Sequence, residues 1–149
     1  MGLLLVSSLF VLLLGVTVYR INRSANVVHR LTSPVSQLVP FIKRHDICVV
    51  MFYDAYTCVQ TMKYMNKLHQ FCSKHHISFM AVNVTEGADP LSGTCPVCPY
   101  LAELQVKFVP AVFVYRDQKV VDSLMNQPDR LPFDKIVHFI QSKLLQTGR

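Results

Sequence analysis

The order of apolar patterns along the chain predicts an α/β protein: one mixed β-sheet sandwiched by helices, preceded by a single N-terminal transmembrane helix. Three observations lead there. Residues 1–19 carry no charged side chain. Residues 47–84 run as apolar strand, amphipathic helix and apolar strand, a crossover that makes the two strands parallel. Residues 108–125 form two strand-like runs around a tight polar turn, and a strongly amphipathic helix follows them. The chain therefore divides into an anchor (1–19), a basic juxtamembrane segment with a short helix (20–45) and a folded domain (46–149).

With 149 residues, 51% of them hydrophobic and 16% charged, the chain is far too apolar for a disordered segment and long enough for about one domain besides the anchor. The first 19 residues would span about 28 Å as a helix, close to the roughly 30 Å of a bilayer core. No basic residue precedes this stretch and no small-residue cleavage site follows it, so the expectation is an uncleaved anchor rather than a secretory signal. Val6 stands where a myristoylation signal would place Ser or Thr.

Charge is localised. Residues 20–45 hold Arg20, Arg23, Arg30, Lys43 and Arg44 with no acid, whereas residues 46–149 hold ten basic and nine acidic groups. The basic balance thus belongs to the segment beside the anchor, which points to membrane lipids with anionic headgroups as partners and away from nucleic acid. By the positive-inside rule the domain is expected on the cytosolic or mitochondrial matrix side. Five cysteines, an odd set, do not form a secreted disulfide framework and fit a reducing compartment. Two glycosylation sequons, at Asn22 and Asn83, would matter only in the reversed topology.

After the anchor, Ser33-Pro34 has the form of an N-cap followed by Pro at the first helical position. Val35, Leu38, Val39 and Ile42 then recur at helical spacing, with a bend or interruption expected at Pro40. Ile47 to Tyr53 is a continuous run of β-branched and aromatic residues, suited to a strand buried on both faces. From Val59 to His76, Met62, Met65, Leu68 and Cys72 form one stripe, with Lys63, Lys67 and Lys74 outside it, so a helix is expected. Ile77 to Val84 is a second strand, and the Gly- and Pro-bearing stretch 85–94 is a loop. A short helix is expected over 98–105 and strands over 108–115 and 119–125. Pro132 then opens a helix whose Phe133, Ile136, Val137, Ile140 and Leu144 share one face.

At this point the residues resemble the thioredoxin-like family, over about residues 46–146. The run Phe108-Val109-Pro110-Ala111-Val112-Phe113-Val114-Tyr115-Arg116-Asp117-Gln118-Lys119-Val120 is similar to the family's cis-proline strand and the hairpin after it. Val49-Val50-Met51-Phe52-Tyr53-Asp54-Ala55-Tyr56 is similar to the strand before the family's Trp-Cys-Gly-Pro-Cys site. The resemblance implies the fold, a cis bond before Pro110, and a partner-binding surface at Tyr56, Thr57, Val109 and Pro110.

The site itself departs from the pattern. Without a gap, Thr57 falls at the nucleophile's place and Gln60 at the resolver's. One extra loop residue puts Cys58 at the nucleophile's place with Thr61 three residues on, a possible monothiol. The family's buried aspartate falls at Met51, its hairpin Gly at Gln118, and the chain has no Trp. The one true Cys-x-x-Cys, Cys95-Pro96-Val97-Cys98, lies in the loop before the third helix of the domain.

Three readings of that pair stay open: half of a zinc site completed by Cys72, His69, His75 and His76, a local disulfide or second redox pair, or unmodified thiols, the last being the leading expectation. The family's layout puts the two halves of such a zinc site on opposite faces of the sheet. Cys48 and Cys72 sit on apolar stripes as core residues, and His75 and His76 suit a helix C-terminus. No metal and no cofactor is expected. The functional expectation is a membrane-anchored, redox-inactive domain serving as accessory subunit of a membrane protein complex, with the mitochondrial inner membrane as first site. Its alternative is a membrane-tethered oxidoreductase using Cys58 or the Cys95/Cys98 pair.

Overall fold

The structure, a computed structural model, describes residues 11–20, 28, 30–125 and 131–145. Strands β1 (Ile47–Tyr53), β2 (Ser78–Asn83), β3 (Ala111–Arg116) and β4 (Lys119–Met125) build one sheet in the order β2-β1-β3-β4. β1 runs parallel to β2, from Cys48 opposite Ser78 to Tyr53 opposite Asn83. It runs antiparallel to β3, from Ile47 opposite Arg116 to Phe52 opposite Ala111, and β4 returns antiparallel to β3. The all-apolar run of β1 is explained by this central place, since Cys48 to Tyr53 are buried from both sides.

Alternate residues of β1 feed two cores. Val49, Met51 and Tyr53 face helix α2 (Val59–Lys74) and helix α4 (Phe133–Ile140), where Met65, Leu68, Cys72, Ile136 and Ile140 are buried with them. Cys48, Val50 and Phe52 face the other side, where helix α1 (Leu38–Arg44) contributes Leu38 and the approach to helix α3 (Cys98–Glu103) contributes Val97. Phe113 meets Phe52 edge-on there, ring centroids 5.8 Å apart.

The helix ends show why the chain stops where it does. After α2 the Ile77 N–H bonds to Cys72 O and the His76 N–H to Ser73 O, and His76 sits in the left-handed region at φ 56°. After α3 the Val106 and Gln105 N–H groups bond to Leu101 O and Ala102 O in the same way, with Gln105 at φ 54°. Both are Schellman terminations made without glycine. In the hairpin, Arg116 pairs with Lys119, so the turn is two residues long, and Asp117 and Gln118 both take positive φ.

Several boundaries move from their expected places. β3 begins at Ala111 rather than Phe108, because Pro110 has no N–H to donate to a ladder. Pro34, not Ser33, holds the cap position, since the Ser33 N–H is taken by Ala81 O at 2.9 Å and Thr32 makes a parallel bridge to Ala81. The chain then makes a 3-10 turn, Val35–Gln37, before α1. Pro40 falls in the first turn of α1, where a missing N–H costs little, so the irregularity precedes it instead of forming at it. Beyond α4 the helix widens into a π turn, Gln141–Leu145, and buried Leu144 stays on the apolar face.

Residues 11–20 are helical, whereas residues 1–10 of the expected anchor lie outside the described residues, as does Arg23. Among the described residues no helix is long and apolar enough to cross a membrane. Arg20, Arg30, Lys43 and Arg44 are exposed.

Candidate functional site

The parallel and antiparallel registers bring the C-terminal ends of β1 and β2 and the start of β3 to one end of the sheet. Asp54 to Cys58 leaves β1 there, and Pro110, one residue before the Phe52/Ala111 pair, lies beside it. The Val109–Pro110 bond is cis. The loop is shaped by its own polar groups: Asp54 Oδ1 accepts from the Tyr56 N–H at 2.8 Å, and the Cys58 N–H donates to Asp54 O at 2.8 Å. Asn83, at the end of β2, ties this loop to the next. Its Oδ1 accepts from the Ala55 N–H at 3.3 Å and from the Thr85 hydroxyl at 2.9 Å.

Cys58 is the N-cap residue of α2, and only 6% of it is exposed. Its Sγ accepts the Asp54 N–H at 3.4 Å. Three residues on, Thr61 is also buried, and the Tyr64 hydroxyl lies 3.4 Å from its Oγ1 while donating to the Leu131 carbonyl at 2.6 Å. Cys58, Gln60, Thr61, Tyr64, Leu131 and Phe133 line a shallow groove of about 360 Å³ between the start of α2 and the start of α4. Tyr64 packs on Phe133 with ring centroids 5.8 Å apart. Burial raises the Tyr64 hydroxyl above its usual range, and the Thr61 bond opposes this. Met51 is fully buried in the same core as Cys58. Outside the groove, Tyr56 is 83% exposed and Thr57 exposed, Val109 is half-buried, and Pro110 is buried.

The second cysteine set differs. Cys95 and Cys98 are joined as a disulfide, Cα atoms 5.4 Å apart, within the ordinary range for such a bridge. This corrects the leading expectation of unmodified thiols. Cys98 is exposed and Cys95 half-buried against the core on the α1/α3 side. Cys58 belongs to the opposite core, so the two sites are separated by the sheet. The disulfide also removes two ligands from the zinc alternative, and Cys72 is buried on the far face; among the described residues no group of three or more His, Cys, Asp or Glu could hold a metal ion. Burial pushes the Cys48 and Cys72 thiols up to about 12, which makes them inert core residues at neutral pH.

Two features escape a reading of the sequence. Asn83 appears there only as a sequon, and nothing local shows that its side chain clamps two loops. The Tyr64-to-Leu131 bond joins residues 67 apart, and no local pattern couples them.

Solved thioredoxins share this architecture. Thioredoxin f2 of Chlamydomonas reinhardtii is 18% identical, the match covering 75% of this chain and 94% of that one, with a TM-score of 0.57. A thioredoxin mutant from Halobacterium salinarum NRC-1 is 14% identical over 75% of this chain and 89% of its own, with a TM-score of 0.56. The thioredoxin of Plasmodium falciparum is 18% identical over 74% and 96%, with a TM-score of 0.53. No family model and no curated protein matches the sequence. At these identities the likeness is one of fold, and the domain has a thioredoxin-like α/β fold with a mixed sheet.

Proposed function

We propose that the chain is a membrane-tethered, atypical thiol–disulfide exchange protein in which the Cys95–Cys98 pair carries the chemistry. The observation that supports this most directly is a closed disulfide between a half-buried cysteine and an exposed one, set in a thioredoxin-like fold. Dithiol exchange needs two thiols within bonding reach and one of them open to a partner. The family's own position offers neither: Cys58 is nearly buried and Thr61 stands where a resolving thiol would be. This degenerate position is why the redox-inactive reading looked stronger from sequence, and the disulfide shifts the balance to its alternative.

The tether rests on the uncharged residues 1–19 and the basic flank after them, which would hold the domain against anionic headgroups on the cytosolic or matrix side, the mitochondrial inner membrane first among sites. In a reducing compartment a disulfide is a working intermediate rather than a structural brace, so tether and exchange support each other. A second reading, an accessory subunit that binds other membrane subunits through Tyr56, Thr57, Val109 and Pro110, draws on the 83% exposure of Tyr56 beside the proline loop.

The two readings separate in a disulfide-reduction assay driven by an external dithiol. Exchange at the pair predicts turnover that survives Cys58→Ala and disappears in the Cys95→Ala/Cys98→Ala double variant. Turnover lost with Cys58→Ala alone would move the chemistry to the monothiol. No turnover from the unmutated chain would leave the subunit reading.

A further inference from the structure

The disulfide is asymmetric in two independent ways. The first is access: Cys98 is exposed, whereas Cys95 is half-buried and packs against the core that holds Val97, Phe52 and Phe113. Exchange is a displacement in which the incoming thiolate attacks one sulfur from the side opposite the bond that breaks, so the sulfur with open surroundings is the one that reacts.

The second is charge. Residues 77–106 contain no Lys or Arg and three acids, Glu86, Asp89 and Glu103, in a chain of net charge +6. Glu86 and Asp89 are exposed on a loop that folds back on the pair. A Cβ at Gly87 would stand 3.3 Å from Pro96 Cγ, and the Asp89 N–H bonds to Thr94 O at 2.9 Å, next to Cys95. Hydrogen bonds from Ser92 and from the Leu91 N–H hold the Asp89 carboxyl below its ordinary range.

We propose that Cys98 is the sulfur that takes the mixed disulfide, that Cys95 is the leaving thiol, and that the partner thiolate is carried on a basic surface, as in a protein dithiol flanked by Lys or Arg. This rests on the exchange reading and gives the pair a direction. A thiolate of the partner bonds to Cys98 Sγ as the Cys95–Cys98 bond breaks; the bonding pair leaves on Cys95, which takes a proton from solvent. The partner's second thiolate then displaces Cys98, which leaves and is protonated in turn. The pair ends as two thiols, reduced, and the partner dithiol as a disulfide, oxidised. The exposed carboxylates repel a thiolate carried by an anionic group and favour one carried by a cationic surface, an effect that salt screens.

The test uses the oxidised full chain in detergent with three small thiols: cysteamine (cationic), 2-mercaptoethanol (neutral) and 3-mercaptopropionate (anionic). Each reaction is quenched in acid and the adduct located by peptide mass. The expected result is an adduct on Cys98 at about tenfold or more over Cys95. Because the reacting thiolates carry net charges of 0, −1 and −2 in that order, raising salt from about 0.02 to about 0.5 M should speed mercaptopropionate most, 2-mercaptoethanol less and cysteamine least, with the spread narrowed by Asp89→Asn. An adduct on Cys95, or equal labelling, would overturn the polarity, and an equal salt dependence for all three thiols would overturn the charge selection. A native chain whose pair neither gains a thiol nor is reduced by dithiothreitol, while the urea-unfolded chain is, would overturn the exchange reading together with this one.

Discussion

Cys58 and Cys98 each stand where a helix begins, on opposite faces of one sheet, and the fold treats them in opposite ways. Around Cys58 the chain has filled the site: Met51 occupies the core beneath it, Thr61 is buried three residues on, and Tyr64 braces the start of α4 through Leu131. Cys98, by contrast, is exposed at the start of α3, beside a loop shaped by short-range hydrogen bonds and by Gly87 at φ 70°. The lesson is that this sheet separates a cysteine that packs from one that is exposed, and a cysteine's chemistry follows its surroundings rather than its place at a helix start.

The sharpest way to break this comparison is Met51→Asp, which puts a carboxylate into the core beneath Cys58. If that core is as dry as its packing implies, an uncompensated carboxylate there should cost about 3 kcal/mol or more at neutral pH in urea unfolding. Burial would raise its folded pKa above the unfolded value, so the deficit should shrink as pH falls through that raised pKa. A cost below about 1 kcal/mol would mean the Cys58 side is wet and open.

Next in size is Tyr64→Phe, which leaves the Leu131 carbonyl without its donor and should cost about 1–2 kcal/mol. A neutral result would show that the groove is not held by that bond. On the other face, Gly87→Ala should cost about 1 kcal/mol, since its left-handed backbone disfavours a side chain and the new methyl would crowd Pro96. The informative readout is the rate at which dithiothreitol opens the disulfide: it should change with Gly87→Ala and stay fixed with Tyr64→Phe. A change in both would show that the two regions are coupled across the sheet.

The smallest effect at neutral pH comes from the buried thiols. Folding raises Cys48 and Cys72 from 9.0 to about 12, so the folded state favours their neutral form. Their contribution is intact below the unfolded value and lost as pH climbs toward the folded one. The urea midpoint should hold to about pH 8 and decline by about pH 10, less steeply in Cys48→Ala/Cys72→Ala. Equal slopes would place the alkaline loss elsewhere, for instance at Tyr115, which burial also pushes up to about 12.

How much of this was legible in the sequence depends on the range of the interaction. β1 and α4 could be read directly, because a run of seven apolar residues and a 3.6-residue stripe are local signals of burial on two faces and on one. The hairpin and Pro110 were legible for the same reason. The state of Cys95 and Cys98 was not, since a spacing of three residues suits two thiols, a metal or a disulfide alike, and loop closure decides among them. Nor was the Thr32 bridge, a contact between residues 49 apart on segments with no periodicity. The open register at Thr57 or Cys58 had the same cause: one loop residue more or less changes no local pattern, and only the helix start, with Cys58 at its cap, places the thiol.

That Thr32 bridge also sets the length of a leash. Among the described residues Thr32 is the first to join the sheet, through Ala81, and the expected anchor ends at residue 19. Twelve residues lie between, and a chain of that length cannot reach beyond about 40 Å. A domain held by the proposed anchor would sweep a shell no deeper than that above the bilayer. Within such a shell a partner embedded in the same membrane is concentrated near the disulfide in proportion to its amount per membrane area. A weak docking surface would then suffice for fast exchange, and partners free in solution would be at a disadvantage set by geometry alone.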